Sequence, residues 1–186
     1  MKKSVVNVLR NSALIGILLG GQSSAESTDL WRLLGDGKSV LVLSGGDAVY
    51  QIKGSNKTIT VGVNVLDFVD NGYNTLSLSV FKFNGKLDKT ELLLFSQGIA
   101  KLATKCFNSD VSRLPSIQNW IATNSVKEAG ASQTSEMDLA QANFGPLKLT
   151  LSKRAGAMNG QAVVIRMERQ GTPGESPWVN YCSLSG

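Results

Sequence analysis

Residues 58–80 decide the fold, and they read TITVGVNVLDFVDNGYNTLSLSV. In both halves of this stretch apolar residues occupy every second position: Ile59, Val61, Val63 and Val65, then Leu76, Leu78 and Val80. A period of two is the pattern of a strand that buries one face. The sequence Asp70-Asn71-Gly72 between the halves is typical of a hairpin turn. The stretch therefore predicts two antiparallel strands with a common apolar face.

Further strands are predicted on both sides of this hairpin. Upstream, residues 40–43 are a continuous apolar run and residues 48–52 alternate, which indicates an antiparallel meander of about four strands. Downstream, residues 147–151 and 163–167 alternate, and residues 155–160 join them as a loop. This second group predicts a C-terminal hairpin.

Two helices are predicted between the two groups of strands. Asp88 and Glu91 have the spacing of a capping box, and the apolar stripe that follows ends at Cys106. A second helix is expected to begin with Ser112 as its cap, whereas residues 123–138 are small and polar and predict a surface loop. The predicted fold is α+β: an antiparallel sheet, made of a four-stranded meander and a C-terminal hairpin, with the two central helices packed on one face.

The first 25 residues have the pattern of a secretory signal peptide. Lys2 and Lys3 precede a short apolar run at residues 13–19, and the small residues Ser23 and Ala25 precede the expected cleavage point. The run is shorter than the roughly 18 to 20 residues that span a bilayer, so a retained anchor is the less favoured alternative. We therefore expect a cleaved leader at residues 1–25 and a single domain at residues 26–186. No integral membrane segment is expected after cleavage, and the predicted location is the periplasm or the cell exterior.

The net charge does not predict a nucleic-acid partner. The full chain carries +5, but three basic residues belong to the expected leader, so the charge of the mature chain falls to +2. Nucleic-acid binding requires a concentrated basic face. The alkaline isoelectric point is mainly a property of the leader.

Cysteine and histidine usage narrows the possible chemistry. Cys106 and Cys182 are the two cysteines of the chain, and in an oxidising compartment such a pair predicts one disulfide. The sequence contains no histidine, which removes the commonest general base and the commonest zinc ligand. We therefore expect no metal site, no cofactor and no catalytic cysteine.

Three short motifs favour ordinary structure over catalysis. Asp67 and Asp70 are the best carboxylate pair for a glycosidase, but a solvated turn accounts for both. Residues 35–39 match the end of a phosphate-binding loop, yet they follow a short predicted helix that carries Leu30, Leu33 and Leu34 and they precede a strand, which reverses the required order. Ser79 and Lys82 have the spacing of a Ser-Lys dyad, but on a strand they project to opposite faces. The sequence predicts no enzyme.

Basic residues concentrate near the C-terminal hairpin. They predict a cationic strip that contacts a protein partner, with a solvated edge as the simpler interpretation; the candidate binding residues are Lys148, Arg154, Arg166, Arg169 and Trp178. Trp178 follows the loop at residues 171–177, which we expect to belong to the contact surface. For the indole itself a core role, packed on the disulfide, is favoured over that of an interface anchor. The predicted function is an exported, non-catalytic binding protein that acts as an inhibitor, an immunity-type protector or an assembly accessory. The alternative is a carboxylate-dependent envelope hydrolase that acts on cell-wall or polysaccharide substrates.

Export predicts a mature N-terminus at Glu26. The full chain, expressed in a bacterial host, should be recovered outside the cytosol with a mass that lacks residues 1–25 and with no free thiol. Intact-mass spectrometry and thiol titration measure both properties. A chain that begins at Met1 in soluble cell extract, with two titratable thiols, would contradict this prediction.

Overall fold

The computed structural model describes residues 26–35, 41–42, 46–69, 72–83, 85–126, 137–155 and 160–184. The predicted leader, the turn residues Asp70 and Asn71, and residues 156–159 of the predicted hairpin loop lie outside these ranges. Within them the chain combines helices with a mostly antiparallel sheet, which confirms the predicted α+β class.

The described segments form nine strands and three α-helices. The strands are β1 (Glu26–Asp29), β2 (Leu41–Val42), β3 (Asp47–Lys53), β4 (Thr58–Val69), β5 (Gly72–Lys82), β6 (Met137–Phe144), β7 (Leu147–Ala155), β8 (Gln161–Glu168) and β9 (Asn180–Ser183). The helices are α1 (Leu30–Gly35), α2 (Lys89–Lys105) and α3 (Leu114–Ser125), and a short 3-10 helix (Val111–Arg113) precedes α3.

Seven strands form one sheet in the order β2-β3-β4-β5-β8-β7-β6, and each neighbouring pair is antiparallel. Strand β8 lies between β5 and β7, so the last strand of the sheet in sequence occupies a position inside it. Strands β1 and β9 form a separate parallel pair.

The alternating residues of the sequence form rows across the sheet. One row runs from Val63 through Leu78 and Ile165 to Leu151, and each of these side chains is buried. Helix α2 contacts β3 and β4, and α3 contacts β6 and β7. Buried apolar side chains from both helices join the same apolar core as the row: Leu94, Phe95, Ile99, Leu102, Ala103, Ile117 and Ile121.

Helix α2 begins with the predicted capping box. The Asp88 side chain accepts hydrogen bonds from the backbone N–H groups of Thr90 and Glu91 at 2.9 and 3.0 Å, and the Glu91 carboxylate accepts one from the Asp88 backbone N–H at 2.8 Å. A hydrogen bond from Lys57 to the Asp88 carboxylate lowers the pKa of Asp88 to about 2. An ionised carboxylate therefore caps this helix at neutral pH.

The predicted disulfide is present. It joins Cys106, at the C-terminal end of α2, to Cys182 in β9, with 4.9 Å between the two Cα atoms. Cys182 pairs in register with Thr28 of β1. The bridge therefore connects the main helix to both strands of the parallel pair.

Several predicted element boundaries are wrong. Strand β6 begins within the last two residues of the predicted loop at 123–138, and residues 127–136 of that loop are not described. The strand itself was not predicted, because its alternating positions hold small or polar residues such as Ala140 and Ala142 and give a weak periodic signal.

Ser112 does not cap α3, which begins after Arg113 without a side-chain capping bond. Asp110 instead caps the short 3-10 helix that precedes α3: its carboxylate accepts from the Ser112 N–H at 2.7 Å. In the described part of the chain, no helix has the length and apolarity needed to cross a membrane.

Removing the disulfide should destabilise the fold. The bridge closes a loop with a sequence separation of 76, for which chain entropy gives a contribution of up to about 4 to 5 kcal/mol. The double variant Cys106→Ser/Cys182→Ser should therefore lose about 2 to 5 kcal/mol of unfolding free energy, measured by urea denaturation. The parent protein in reducing buffer is the matched control, and equal stability of oxidised and reduced parent would contradict the expectation.

Acid should weaken the cap of α2. Because the pKa of Asp88 is about 2 in the folded chain and 3.8 in the reference state, its contribution to stability is complete above about pH 4 and is lost as the pH falls through about 2. The Asp88→Asn variant keeps a capping oxygen but has no charge. Its Tm should lie below that of the parent near pH 5, and the difference should vanish near pH 2. Thermal unfolding followed by circular dichroism measures this, and a difference independent of pH would refute it.

Candidate binding surface

A cavity of about 330 Å³ lies where the β6–β7 turn approaches the segment that follows β8. Its lining combines two prolines with amide and charged side chains: Asn143, Pro146, Lys148, Glu168, Gln170 and Pro177. Two of the segments predicted to contact a partner, the C-terminal hairpin and the loop at residues 171–177, therefore meet at one cavity.

The strand register positions the charged pair of this cavity. Lys148 pairs with Glu168 across β7 and β8, and its Nζ lies 3.3 Å from Glu168 Oε2. Gln170 Nε2 donates to the other carboxylate oxygen at 3.4 Å. Since Lys148 alternates with the buried Leu147 and Leu149, the ion pair lies on the sheet face turned away from the apolar core.

The other predicted basic residues of β7 and β8 lie farther along the hairpin. Arg166 pairs with Thr150, and Arg154 pairs with Ala162 near the opposite end of β7. Arg154 is exposed and Arg166 is half-buried. The structure thus brings Arg166 near Lys148, but it places Arg154 away from the cavity.

Arg169 does not belong to an exposed cationic strip, whereas the burial of Trp178 agrees with the core role favoured for it. Each is only 1% exposed, and the Arg169 guanidinium carbon lies 5.1 Å from the centre of the Trp178 ring. Arg169 Nη2 donates to the Pro177 carbonyl at 3.2 Å. Strand β8 ends at Glu168, and Arg169 continues the inward phase of Ile165 and Met167. Burial lowers the pKa of Arg169 to about 10.

Hydrogen bonds fix the loop that carries Trp178. Gly174 N–H donates to the Trp178 carbonyl at 2.8 Å, and Glu175 N–H donates to the Thr172 carbonyl at 3.2 Å. Asn108 connects this loop to the disulfide region: its Nδ2 donates to the Pro177 carbonyl at 2.7 Å, and its Oδ1 accepts from the Asn180 N–H at 3.0 Å. These bonds fix the conformation of the loop that forms the Pro177 wall of the cavity.

The sequence analysis did not identify Asn108 as a candidate residue, although one local feature of the sequence indicates a structural role for it. Asn108 has a positive φ of 49°, a conformation that asparagine tolerates better than most residues, and it lies two positions after Cys106. An asparagine just beyond a helix that ends in a bridged cysteine marks a chain reversal next to a covalent anchor. Its partners, at residues 177 and 180, are distant in sequence and were not predictable from it.

The earlier catalytic candidates have ordinary local partners or lie outside the described residues. Asp67 is exposed and accepts a hydrogen bond from Asn74 Nδ2 at 3.0 Å, whereas Asp70 is not described. Lys82 forms a 2.8 Å ion pair with Glu91, and residues 36–39 are not described. Among the described residues there is no cluster of three or more histidine, cysteine or acidic side chains.

Comparisons with known protein families, with curated proteins and with solved structures found no match. Inference about function therefore starts from the residues of this chain.

Proposed function

We propose that this chain is an exported, non-catalytic binding domain that engages another protein in the periplasm or outside the cell, as an inhibitor, an immunity-type protector or an assembly accessory. The observation that carries the proposal is the cavity between the β6–β7 turn and the loop at residues 171–177. The disulfide between Cys106 and Cys182 is compatible with an oxidising compartment and supports the proposed location.

The construction of the cavity supports binding of a protein. Pro146 and Pro177 provide rigid apolar surface, and Asn143 and Gln170 provide amide groups that donate and accept hydrogen bonds. The wall near Pro177 is already held by Asn108, so less conformational entropy is lost on association. A volume of about 330 Å³ lies at the lower end of ligand pockets and suits one or two side chains of a partner.

The charges around the cavity favour selectivity over general attraction. Lys148 is compensated by Glu168, so the rim is not a uniformly cationic strip. A partner that approaches this face meets a fixed pattern of one positive and one negative group. Such patterns select among partners more strongly than they raise affinity.

Blocking the cavity should prevent partner capture. The variant Asn143→Arg places a long charged side chain at an exposed lining position, and it should weaken binding about tenfold or more, as expected when a central contact is lost. The protein is immobilised, its partner is captured from the native extracytoplasmic fraction and identified by mass spectrometry, and Kd is then measured with the purified partner.

Two matched variants complete the experiment. Gln97→Arg makes the same type of change at an exposed position of α2, and Asp67→Asn removes the exposed carboxylate that the hydrolase alternative requires. Both should bind as the parent does. Unchanged Kd for Asn143→Arg, or equal losses for Asn143→Arg and Gln97→Arg, would refute this surface.

A further inference from the structure

Two phenylalanines form an exposed pair at one end of the seven-stranded sheet. Phe81 is near the end of β5 and Phe83 lies just beyond it, and their ring centroids are 4.8 Å apart in an edge-to-face arrangement. The exposed fractions of Phe81 and Phe83 are 39% and 66%. The backbone at Gly160 packs so close to the first ring that a Cβ atom there would lie 2.8 Å from Phe81 Cζ. The pair is therefore a fixed apolar group that faces solvent.

Two cations flank the aromatic pair on the same face of the sheet. Arg154 lies two strands from Phe81 on one side, and Lys53 lies two strands from Phe83 on the other. The strand registers place all four side chains on the face turned away from the apolar core. At about 4.8 Å between neighbouring strands, each cation is roughly 10 Å from the rings. Both cations are exposed, and neither forms an ion pair with another described residue.

This end of the sheet is more positively charged than the rest of the chain. Residues 53–58, 81–91 and 154–161 contain six basic and two acidic residues, a net charge of +4. Residues 26–186 as a whole carry +2, so the remainder of that chain carries −2. Both acids are paired with lysines of the same group. One further acid, Asp138, lies at the start of the neighbouring edge strand β6, and including it lowers the charge only to +3.

We propose that the surface formed by Phe81, Phe83, Lys53 and Arg154, which we name the aromatic end, binds the surface of a lipid bilayer that contains anionic headgroups. The rings insert below the headgroups, and the cations contact the phosphates. The inference goes beyond the proposed function, because it assigns a second surface and a different class of partner. The cavity near Lys148 lies at the opposite end of β7, so a chain bound to a bilayer in this way keeps its cavity accessible.

The chemistry of the aromatic end favours a bilayer over an acidic protein or a nucleic acid. The phenyl rings have no polar atom, so contact with hydrocarbon stabilises them and they need no hydrogen-bond partner. Lys53 and Arg154 are four strand spacings apart, about 19 Å, a span that suits a continuous anionic plane better than one acidic side chain. Two rings at 89° to each other cannot both stack on successive bases of one strand.

The apolar and the electrostatic contribution should both be necessary. A small apolar group alone gives only marginal, reversible binding to a bilayer. A basic cluster is attracted only where the lipid surface is anionic, and salt screens that attraction. Binding should therefore require anionic lipid, weaken as the salt concentration rises, and depend on the rings as well as on the cations.

Vesicle co-sedimentation tests the proposal with the exported, disulfide-bonded protein. The probes are vesicles of phosphatidylcholine alone and vesicles of phosphatidylcholine and phosphatidylglycerol in equal amounts. The protein should bind the mixed vesicles in a saturable manner, and its affinity for the neutral vesicles should be about tenfold lower or less. Added salt should release the protein from the mixed vesicles.

Two double variants separate the two contributions. Phe81→Ser/Phe83→Ser should weaken binding to the mixed vesicles about tenfold or more, because both rings lose their contact with hydrocarbon. Lys53→Gln/Arg154→Gln should weaken it to a similar extent, because two charges near the lipid surface are removed. Circular dichroism verifies that each variant is folded. Since all variants share one N-terminus, any contribution of residues 1–25 is the same in every comparison.

Matched controls use exposed residues of the same types at the far ends of β4 and α2. Phe68→Ser and Lys105→Gln should bind as the parent does. Insertion has its own readout: the added tryptophan of Phe83→Trp should shift its fluorescence to shorter wavelength on the mixed vesicles and be quenched by brominated lipid. The added tryptophan of Phe68→Trp should show neither effect.

Four results would overturn the bilayer surface: no binding to the mixed vesicles, equal binding to neutral and mixed vesicles, losses in the controls as large as those in the double variants, or tighter binding to a single-stranded oligonucleotide than to the vesicles. If the vesicles do not bind and Phe81→Ser/Phe83→Ser loses capture of the protein partner, the aromatic end belongs to a protein interface and the bilayer assignment is wrong. The cavity is tested separately by Asn143→Arg, so neither result depends on the other.

Discussion

The pairing of β5 with β8 is the constraint on which the rest of the structure depends. It begins with Thr75 opposite Glu168 and ends with Lys82 opposite Gln161, and it joins the sequence-local meander to strands that follow both central helices. The same register places Leu78 against Ile165 in the apolar row and fixes the end of β8. A shift by one residue would turn every side chain of β8 to the other face, including the residue that follows it. The candidate surface is therefore a consequence of this register.

The features that the sequence predicted are those with local causes. The alternation around Val63 and Leu78 reflects burial of one strand face, and the capping box of Asp88 and Glu91 requires contacts only three residues apart. The disulfide was predictable because two cysteines allow a single pairing. The position of β8 inside the sheet depends on contacts across the helices and had no comparable signal.

The candidate site was predictable only in part, and the phase of β8 explains why. Lys148 and Arg166 alternate with the apolar residues of their strands, which predicts that they face solvent, and the structure places Lys148 at the cavity and Arg166 near it. Arg169 was grouped with them by charge, although it follows Met167 by two positions and shares its inward direction. Extending the inward–outward alternation of β8 by one residue beyond the end of the strand would have predicted that Arg169 is buried. Its stacking on Trp178 depends on how the intervening loop folds, and composition does not determine that.

The parallel pair of β1 and β9 constrains the order in which the chain can fold. Ser27 and Ser183 are hydrogen-bonded at 2.8 Å, yet they are separated by 156 positions in sequence. Of the described strands, β1 is the first to be synthesised, and its partner β9 is the last. Until β9 has been synthesised, β1 lacks its strand partner and Cys106 lacks the sulfur with which it pairs. Closure of this fold therefore depends on contacts of high sequence separation, which form more slowly than local ones.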